Sequence, residues 1–584
     1  MSLDEFNQLP HFLNGYVSKY ATERPDDYAI IDADDGKFIT WKDFDTAINM
    51  IALNLLDMGF KKGDVIASML PLLPEHIFFE YACFKLGIMF APLDSRLKED
   101  ELIRSVQLLV PKVKMFWHLD NTETDDRYGK KVYYPFKDYA VQIHKKIPCI
   151  KYFMQISPIE DAPKGWIGFL NFMKDAREKY YKYLMDGTLE SQLQRITKAA
   201  ADVKEDDPIF IIFTTGSTGF PKPAMLTNIG IIAQNFCMAK AFEMTKDDRM
   251  LVNLPPSHVG CQTEQLMTTI FTGAIAVLLH AFFADKTMKA IDDYKITAFG
   301  QIPSLFAMEW RLPDYAKYDI SSLRFAVYGG QSVSRKFLDR LATMASTYGT
   351  GLGLTEISGL CSYTRLDWKI EQIVQSVGFD YPEICPLTIR KPMIEDGTAG
   401  EVLPDGEIGE ICYTGPQVFK GYFGNEDATR KTISTEGVLY TGDLGFKDEM
   451  GLHLTGRAKF VIKPKGYQVY PPEIEAHIEK IPEVALSAIL GAKHEVFSEG
   501  VVAFIQLRKS KDGKPYDLEA IRKKINEHCK SLTSYKRPNL IVFIDEIPLN
   551  RVDKTDYKQL YSVVEQYVEE ERKKGGWDMN KNAE

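Results

Sequence analysis

The chain has 584 residues, 45% hydrophobic and 26% charged, with a formal net charge of −10. Its length suits three or four domain-sized units, and its acidity argues against nucleic acid as a partner, because neutralising phosphates needs a basic face. The eight cysteines, at 83, 149, 237, 261, 361, 385, 412 and 529, form no Cys-x-x-Cys pair, which points to reduced thiols in cytoplasm and away from a disulfide frame or zinc site. No apolar stretch approaches the ~18 residues that span a bilayer, and residues 1–14 lack a basic region followed by a hydrophobic block, so a cytoplasmic protein without a transmembrane segment is expected. Peripheral attachment stays open, since a patch assembled from separate segments leaves no linear signal.

From the N-terminus, the spacing predicts a helix over 41–58 with Gly59 beyond it, a strand over 65–69 and a helix over 74–87, an α/β alternation. Residues 120–205 hold an aromatic and charged stretch, 166–183, and a helical run to Val203; they read as a surface excursion, with a substrate or subunit interface as the other reading. Short apolar runs near 208–214, 249–254, 274–279, 296–300 and 324–328, each followed by a helical stretch, favour largely parallel sheets covered by helices. Beyond about 400 the texture changes to Gly-rich short strands, including 406–414 and a hairpin-like 445–456, which suit a small β-rich subdomain. A separate unit begins near 460, and no internal repeat is present.

Residues 209–213 make an almost unbroken apolar run, and 228–242 offers apolar residues at helical spacing. The intervening Thr214-Thr215-Gly216-Ser217-Thr218-Gly219-Phe220-Pro221-Lys222 is therefore expected as a strand-to-helix loop. Its glycines let the backbone approach an anion, successive N–H groups can form a nest, and its hydroxyls can donate to phosphate oxygens while Lys222 adds a movable positive charge. A Walker loop matches poorly: it needs glycine directly before the lysine and Ser or Thr directly after, where this chain has Pro221 and Pro223. A flexible surface turn is the bland alternative.

The loop resembles the phosphate loop of the adenylate-forming superfamily, which includes acyl-CoA synthetases, aryl-CoA ligases, luciferases and peptide-synthetase adenylation domains. Further matches follow in the family's order: Pro256-Ser257-His258-Val259-Gly260, Gly329-Gly330-Gln331, Gly353-Leu354-Thr355-Glu356, Tyr440-Thr441-Gly442-Asp443, Gly456-Arg457-Ala458-Lys459, Lys465-Gly466-Tyr467 running on to Glu475, and Leu549-Asn550-Arg551-Val552-Asp553-Lys554. The resemblance extends from Thr40-Trp41 to about residue 560. It implies an α/β protein with a large N-terminal domain over 1–457, built of two helix-covered sheets, in which 120–205 is a family-variable insertion and 400–457 a β-rich subdomain. A hinge at 458–460 and a small mobile α+β C-terminal domain over 461–584 would follow, with a disordered tail from about 570.

A carboxylate resists nucleophilic attack until it carries a leaving group, and ATP supplies AMP for that purpose. Bringing a carboxylate onto the α-phosphorus juxtaposes like charges, which lysine, hydroxyl and metal groups must neutralise where charge develops. By resemblance, Thr214, Thr215, Gly216, Ser217, Thr218, Gly219 and Lys222 hold the β- and γ-phosphates, Thr355 reaches the α-phosphate and Glu356 holds Mg²⁺. Gly330, Gln331, Leu352 and Gly353 belong to the nucleotide site. Asp443 accepts the ribose hydroxyls with help from Arg457, a task suited to a two-oxygen acceptor. Lys554 is implied as the adenylating lysine and Lys459 as the hinge residue. Lys465, Gly466 and Tyr467 would meet coenzyme A after rotation of the small domain, Gly466 letting the pantetheine arm pass. His258, Val259 and Gly260 would line the acyl pocket, with Gly329, Gly330 and Gly351 leaving room for the acyl group; a satisfied buried histidine is the other reading of His258.

Three positions depart from the family's pattern: Leu352 stands where a tyrosine commonly stacks on adenine, Pro223 replaces a glycine, and Asp553 replaces the glycine before the lysine. The implied activity is AMP-forming ligation of a carboxylic acid to coenzyme A, the acid being aromatic, alicyclic or medium-chain, with the net reaction open to reversal, in a monomer or homodimer. A stand-alone enzyme loading a carrier protein and a non-catalytic nucleotide-binding homologue are the alternatives.

Overall fold

A computed structural model describes residues 3–125, 131–157, 163–214, 221–331, 333–462, 464, 469–494, 498–510, 514–550 and 554–577. The chain divides into two compact units, one of residues 1–387, 395–399 and 413–439, the other of 388–394, 400–412 and 440–584. The expected domains are 1–457 and 461–584 with a hinge at 458–460; in this division the stretch 400–412 and the hairpin after 440, which share one sheet, group with the C-terminal residues.

The first unit carries a seven-stranded and an eight-stranded sheet. In the seven-stranded sheet Thr347–Thr350, Phe325–Tyr328, Ala298–Gln301, Arg249–Val252, Ile275–Leu278 and Tyr28–Asp32 run parallel, with Lys37–Thr40 antiparallel at the edge. The expected runs at 249–254, 274–279, 296–300 and 324–328 are these strands, and they are apolar because helices cover both faces of a parallel sheet. The helix Trp41–Asp57 begins on a reciprocal cap: Thr40 Oγ1 accepts from the Asp43 N–H, and the Asp43 carboxylate accepts from the Thr40 N–H.

The eight-stranded sheet places Val65–Met69, buried along its length, between Met89–Pro92 and Val113–Leu119. Residues 120–205 correct the expectation of a surface excursion. Tyr152–Ile156 and Ile167–Gly168 extend this sheet, and the helix Phe136–Lys146 puts Phe136, Ala140 and Ile143 into one core with Val113, Phe116 and Phe153. The helix Phe169–Met185 buries Phe169, Phe172 and Ala176, and its Phe172 carbonyl accepts from Asn54 Nδ2.

A second correction concerns the loop after 213. Pro208–Phe213 does not lead directly into a helix; it pairs antiparallel with Pro223–Thr227, which pairs in turn with Gly421–Tyr422. The loop therefore closes a hairpin. The helix Asn228–Ala241 starts only afterwards, with Thr227 Oγ1 accepting from the Gly230 N–H at its cap.

The second unit holds a four-stranded sheet, Leu387–Arg390, Gly409–Tyr413, Leu439–Asp448 and Gly451–Arg457, and a three-stranded sheet, Val484–His494, Ser498–Leu507 and Leu540–Phe543, flanked by the helices Pro471–Ile478, Leu518–Cys529 and Tyr557–Lys573. Between the sheets lies the single turn Ala458–Phe460. The tail expected to be disordered from about 570 is ordered further: the last helix runs to Lys573, and Trp577 is buried with its Nε1 donating to the Lys493 carbonyl at 2.9 Å. All eight cysteines are free thiols, and no helix among the described residues is long and apolar enough to cross a membrane.

Candidate active site

In the first unit, the ends of the phosphate-type loop are tied together. The Thr214 N–H donates to the Lys222 carbonyl at 2.9 Å, and the Lys222 N–H faces Thr214 Oγ1 at 3.4 Å. Thr215, Gly216, Ser217, Thr218 and Gly219 lie outside the described residues. Lys222 Nζ stands 4.8 Å from the centroid of the Tyr422 ring, where the negative face of the ring attracts it. The Tyr422 hydroxyl donates to Glu356 Oε1 at 2.7 Å. Burial and then the Glu356 charge push the Tyr422 hydroxyl far above its ordinary pKa, so it stays a donor throughout the physiological range. One ring thus connects the loop lysine to the carboxylate, and sequence reading missed it: Tyr422 reaches the site through strand pairing, not through local spacing.

Glu356 is held by its own hairpin. Gly353–Leu354 pairs antiparallel with Gly359–Leu360, and Thr355–Ile357 form the turn between them. Ser358 closes the turn at φ 61°, a left-handed conformation, with its hydroxyl donating to the Gln417 carbonyl at 3.1 Å. The Glu356 carbonyl accepts from the Phe419 N–H. Leu352 is half-buried, its N–H donating to Ser362 Oγ at 3.0 Å and its carbonyl accepting from Cys361. Because Oε1 of Glu356 receives the tyrosine hydroxyl, its other oxygen is the hard donor available to a cation. A single carboxylate oxygen completed by phosphate oxygens and water suits magnesium.

Gly329 and Gly330 follow the strand Phe325–Tyr328, where open α/β sheets place ligands beyond the carboxyl ends of their strands. A Cβ on Gly329 would meet nothing within 4 Å, Gly330 turns at φ 91°, and Gln331 is exposed. At Gly351 a Cβ would overlap the Ser362 carbonyl oxygen, so glycine there lets two backbone segments approach.

His258 sits on a turn, its N–H donating to the Pro255 carbonyl, just before a π-helical segment Gly260–Met267. Val259 supplies the carbonyl that accepts from Thr263 Oγ1 at 3.0 Å. Burial disfavours the charge on nearby Asp94, but the Arg96 guanidinium, and more weakly His258, outweigh it and hold that carboxyl below its usual range. The π-helical segment also carries Glu264, a second residue that sequence reading missed; burial pushes its carboxyl up to about 7.

In the second unit, Asp443 and Arg457 face each other across the hairpin, with Arg457 Nε 2.7 Å from Asp443 Oδ1. Asp443 is buried, which raises its pKa, while Arg457 and Lys554 pull it back down. Gly442 turns at φ 75°, and its N–H donates to Glu410 Oε1 at 2.9 Å. Lys554 is tied to Asn550: the Lys554 N–H donates to Asn550 Oδ1 at 3.1 Å, and the Asn550 N–H donates to the Lys554 carbonyl at 2.7 Å. Desolvation, then repulsion from Arg457, lowers the Lys554 pKa against the opposing attraction of Asp443. Lys459 stands 4.4 Å over the Phe460 ring, and desolvation followed by Arg457 lowers it to about 8. Phe460 packs against Tyr557 and Tyr561, with ring centroids at 4.8 and 6.0 Å, and Tyr557 donates to Glu475. Lys465, Gly466 and Tyr467 lie outside the described residues, as does Asp553.

The chain resembles known proteins along most of its length. The model of the AMP-binding enzyme family matches residues 17–423, and that of the AMP-binding enzyme C-terminal domain matches 473–554. The chain is 27% identical over 557 residues to 4-coumarate–CoA ligase CCL1 of Humulus lupulus, covering 93% of this chain and 92% of that one. Among solved structures, ATP-bound MatB from Rhodopseudomonas palustris superposes with a TM-score of 0.73 at 22% identity, over 96% of this chain and 100% of that one. The anthranilate CoA ligase AuaEII, in complex with anthranoyl-AMP, superposes with a TM-score of 0.76 at 20% identity, over 96% and 98% of the two chains. With the family model spanning more than half its length, the chain belongs to the AMP-binding enzyme family, the adenylate-forming superfamily that includes the acyl-CoA synthetases.

Proposed function

We propose that this protein is an AMP-forming ligase that joins a carboxylic acid to coenzyme A through an acyl-adenylate. The observation that carries the reading is the Lys222–Tyr422–Glu356 arrangement, which sets a cation and a carboxylate at the base of a hydroxyl-rich loop. That pairing suits a polyphosphate, with the ammonium meeting its oxygens and Glu356 left to hold magnesium. Thr214, Thr215, Gly216, Ser217, Thr218, Gly219 and Lys222 hold the β- and γ-phosphates, while Thr355 faces the α-phosphate. In the second unit, Asp443 takes the ribose hydroxyls with Arg457 orienting it.

In the first half-reaction a carboxylate oxygen of the acid attacks the α-phosphorus, the bond to the β-phosphate bridge breaks, and pyrophosphate leaves. Lys554 neutralises charge on the attacking carboxylate and the α-phosphoryl oxygens. Magnesium, when bound through Glu356, would offset phosphate charge. In the second half-reaction the coenzyme A thiolate attacks the acyl carbon and AMP leaves. Rotation about Lys459 would exchange Lys554 for Lys465, Gly466 and Tyr467 between the two steps. The acid is aromatic, alicyclic or medium-chain; CCL1 is named for coumarate and AuaEII for anthranilate. Among solved relatives is an amide bond synthetase, McbA, so the acceptor is tested alongside the acid.

The test is acid-dependent AMP release with and without coenzyme A across benzoates, cyclohexane carboxylates and short to medium fatty acids. Coenzyme A-dependent release with one class of acid is the expected result. Acid-dependent pyrophosphate exchange without a response to coenzyme A would assign adenylation to a different acceptor, such as a carrier protein or an amine.

A further inference from the structure

Resting on the ligase reading, we propose that Glu264 reads a hydrogen-bond donor on the acid substrate, so that the preferred acid carries an amine or a hydroxyl away from its carboxylate. Most other polar side chains around the π-helical segment Gly260–Met267 make hydrogen bonds, although Gln262 Oε1 has no partner among the described residues. Gln262 donates to Glu80 at 2.8 Å, Thr263 to the Val259 carbonyl, Gln265 to the Gly300 carbonyl at 2.7 Å, and Thr269 and Thr268 to carbonyls of the same region. Among the described residues, no donor or cation pairs with the Glu264 carboxylate.

Its position is equally specific. A Cβ on Gly353 would lie 3.3 Å from Glu264 Oε1, and one on Gly260 would lie 3.8 Å from Oε2. The carboxylate therefore emerges between two glycines, one following the His258 turn and the other opening the hairpin that presents Thr355 and Glu356. Gly353 is exposed and Glu264 half-buried, so the residue is not sealed in the core. An unpaired carboxylate at such a place is costly, more so in a site designed for a carboxylate and a triphosphate. Burial has already moved its proton affinity toward neutrality. A substrate amine would pair with the ionised form, and a hydroxyl would donate to it. An acid without either group leaves the cost in place, and sites with a buried polar partner discriminate strongly against such analogues.

The experiment compares matched acids, benzoate with aminobenzoates and hydroxybenzoates and hexanoate with aminohexanoate and hydroxyhexanoate, by kcat/KM for coenzyme A-dependent AMP release and by pyrophosphate exchange. Wild-type protein should favour a donor-bearing member by roughly 10- to 100-fold. Glu264→Leu should bring that pair to parity while leaving the unsubstituted acid as good or better. The near-isosteric Glu264→Gln should keep a hydroxyl preference and lose an amine preference, which separates charge from hydrogen bonding if the leucine variant folds poorly. Parity in the wild type, an unchanged ratio in Glu264→Leu, or a rise in KM for ATP shared by every acid would each overturn the inference and leave the ligase reading standing. Silence of the wild type with every acid in both assays removes the ligase reading, and this inference with it.

Discussion

Lys222 and Lys554 present the same ammonium group in opposite ways. Lys222 opens onto a paired strand, its backbone laddered to Thr214 and its Nζ set over an aromatic ring that is hydrogen-bonded to Glu356. Lys554 is anchored through its backbone to one asparagine, with Arg457 pushing on its charge and Asp443 drawing it back. A braced cation is suited to binding a charge that is present throughout the reaction. A cation whose proton is held less tightly is suited to meeting charge that develops only in the transition state.

The difference predicts a split in kinetics. Lys554→Ala should give the largest effect, a loss of roughly 10²- to 10³-fold in the rate of pyrophosphate exchange with little change in KM for ATP. Equal losses in ATP binding would erase the distinction between the two lysines. Lys222→Ala should instead act mainly on KM for ATP, by about tenfold, with the rate at saturating ATP largely kept. Tyr422→Phe removes only the hydroxyl and should cost about 0.5 to 1.5 kcal/mol in ATP or magnesium dependence, read from initial rates. A variant indistinguishable from wild type would show that the ring, and not its hydrogen bond to Glu356, organises the pair.

The comparison also has a pH dependence. Because the Lys554 pKa is lowered, its ammonium form, abundant below that pKa, is lost as pH rises sooner than for an ordinary lysine. Adenylation measured by pyrophosphate exchange should therefore decline at an alkaline pH where Lys222, substituted by Arg, leaves the profile unmoved. A smaller check on the fold is Thr40→Ala, which should destabilise the first unit by about 1 kcal/mol in denaturant unfolding by removing a reciprocal cap.

Much of this architecture is visible in the residue pattern. The apolar runs at 65–69 and 249–252 are strands because both faces of their sheets are covered, and continuous burial leaves a continuous apolar signature. Other features depend on partners distant in the chain. Pro223 does not announce a strand, since proline suits strand ends only where its missing N–H is not needed; the antiparallel pairing to Pro208–Phe213 decides it. Residues 120–205 look polar and aromatic in one dimension, yet Phe136, Ala140, Ile143 and Phe153 converge in the core from separate elements. Tyr422 joins Glu356 across 66 positions of sequence, and Glu264 depends on a helix that leaves the 3.6-residue period, so neither carries a local signature.

The Asp443–Arg457 ion pair and the stack of Phe460 on Tyr557 and Tyr561 stand on either side of a two-residue gap. Arg457 is committed to its strand and Phe460 to the last helix. Between those two attachments the chain has only Ala458 and Lys459 in which to change direction, so the link from hairpin to last helix is short and fixed at both ends.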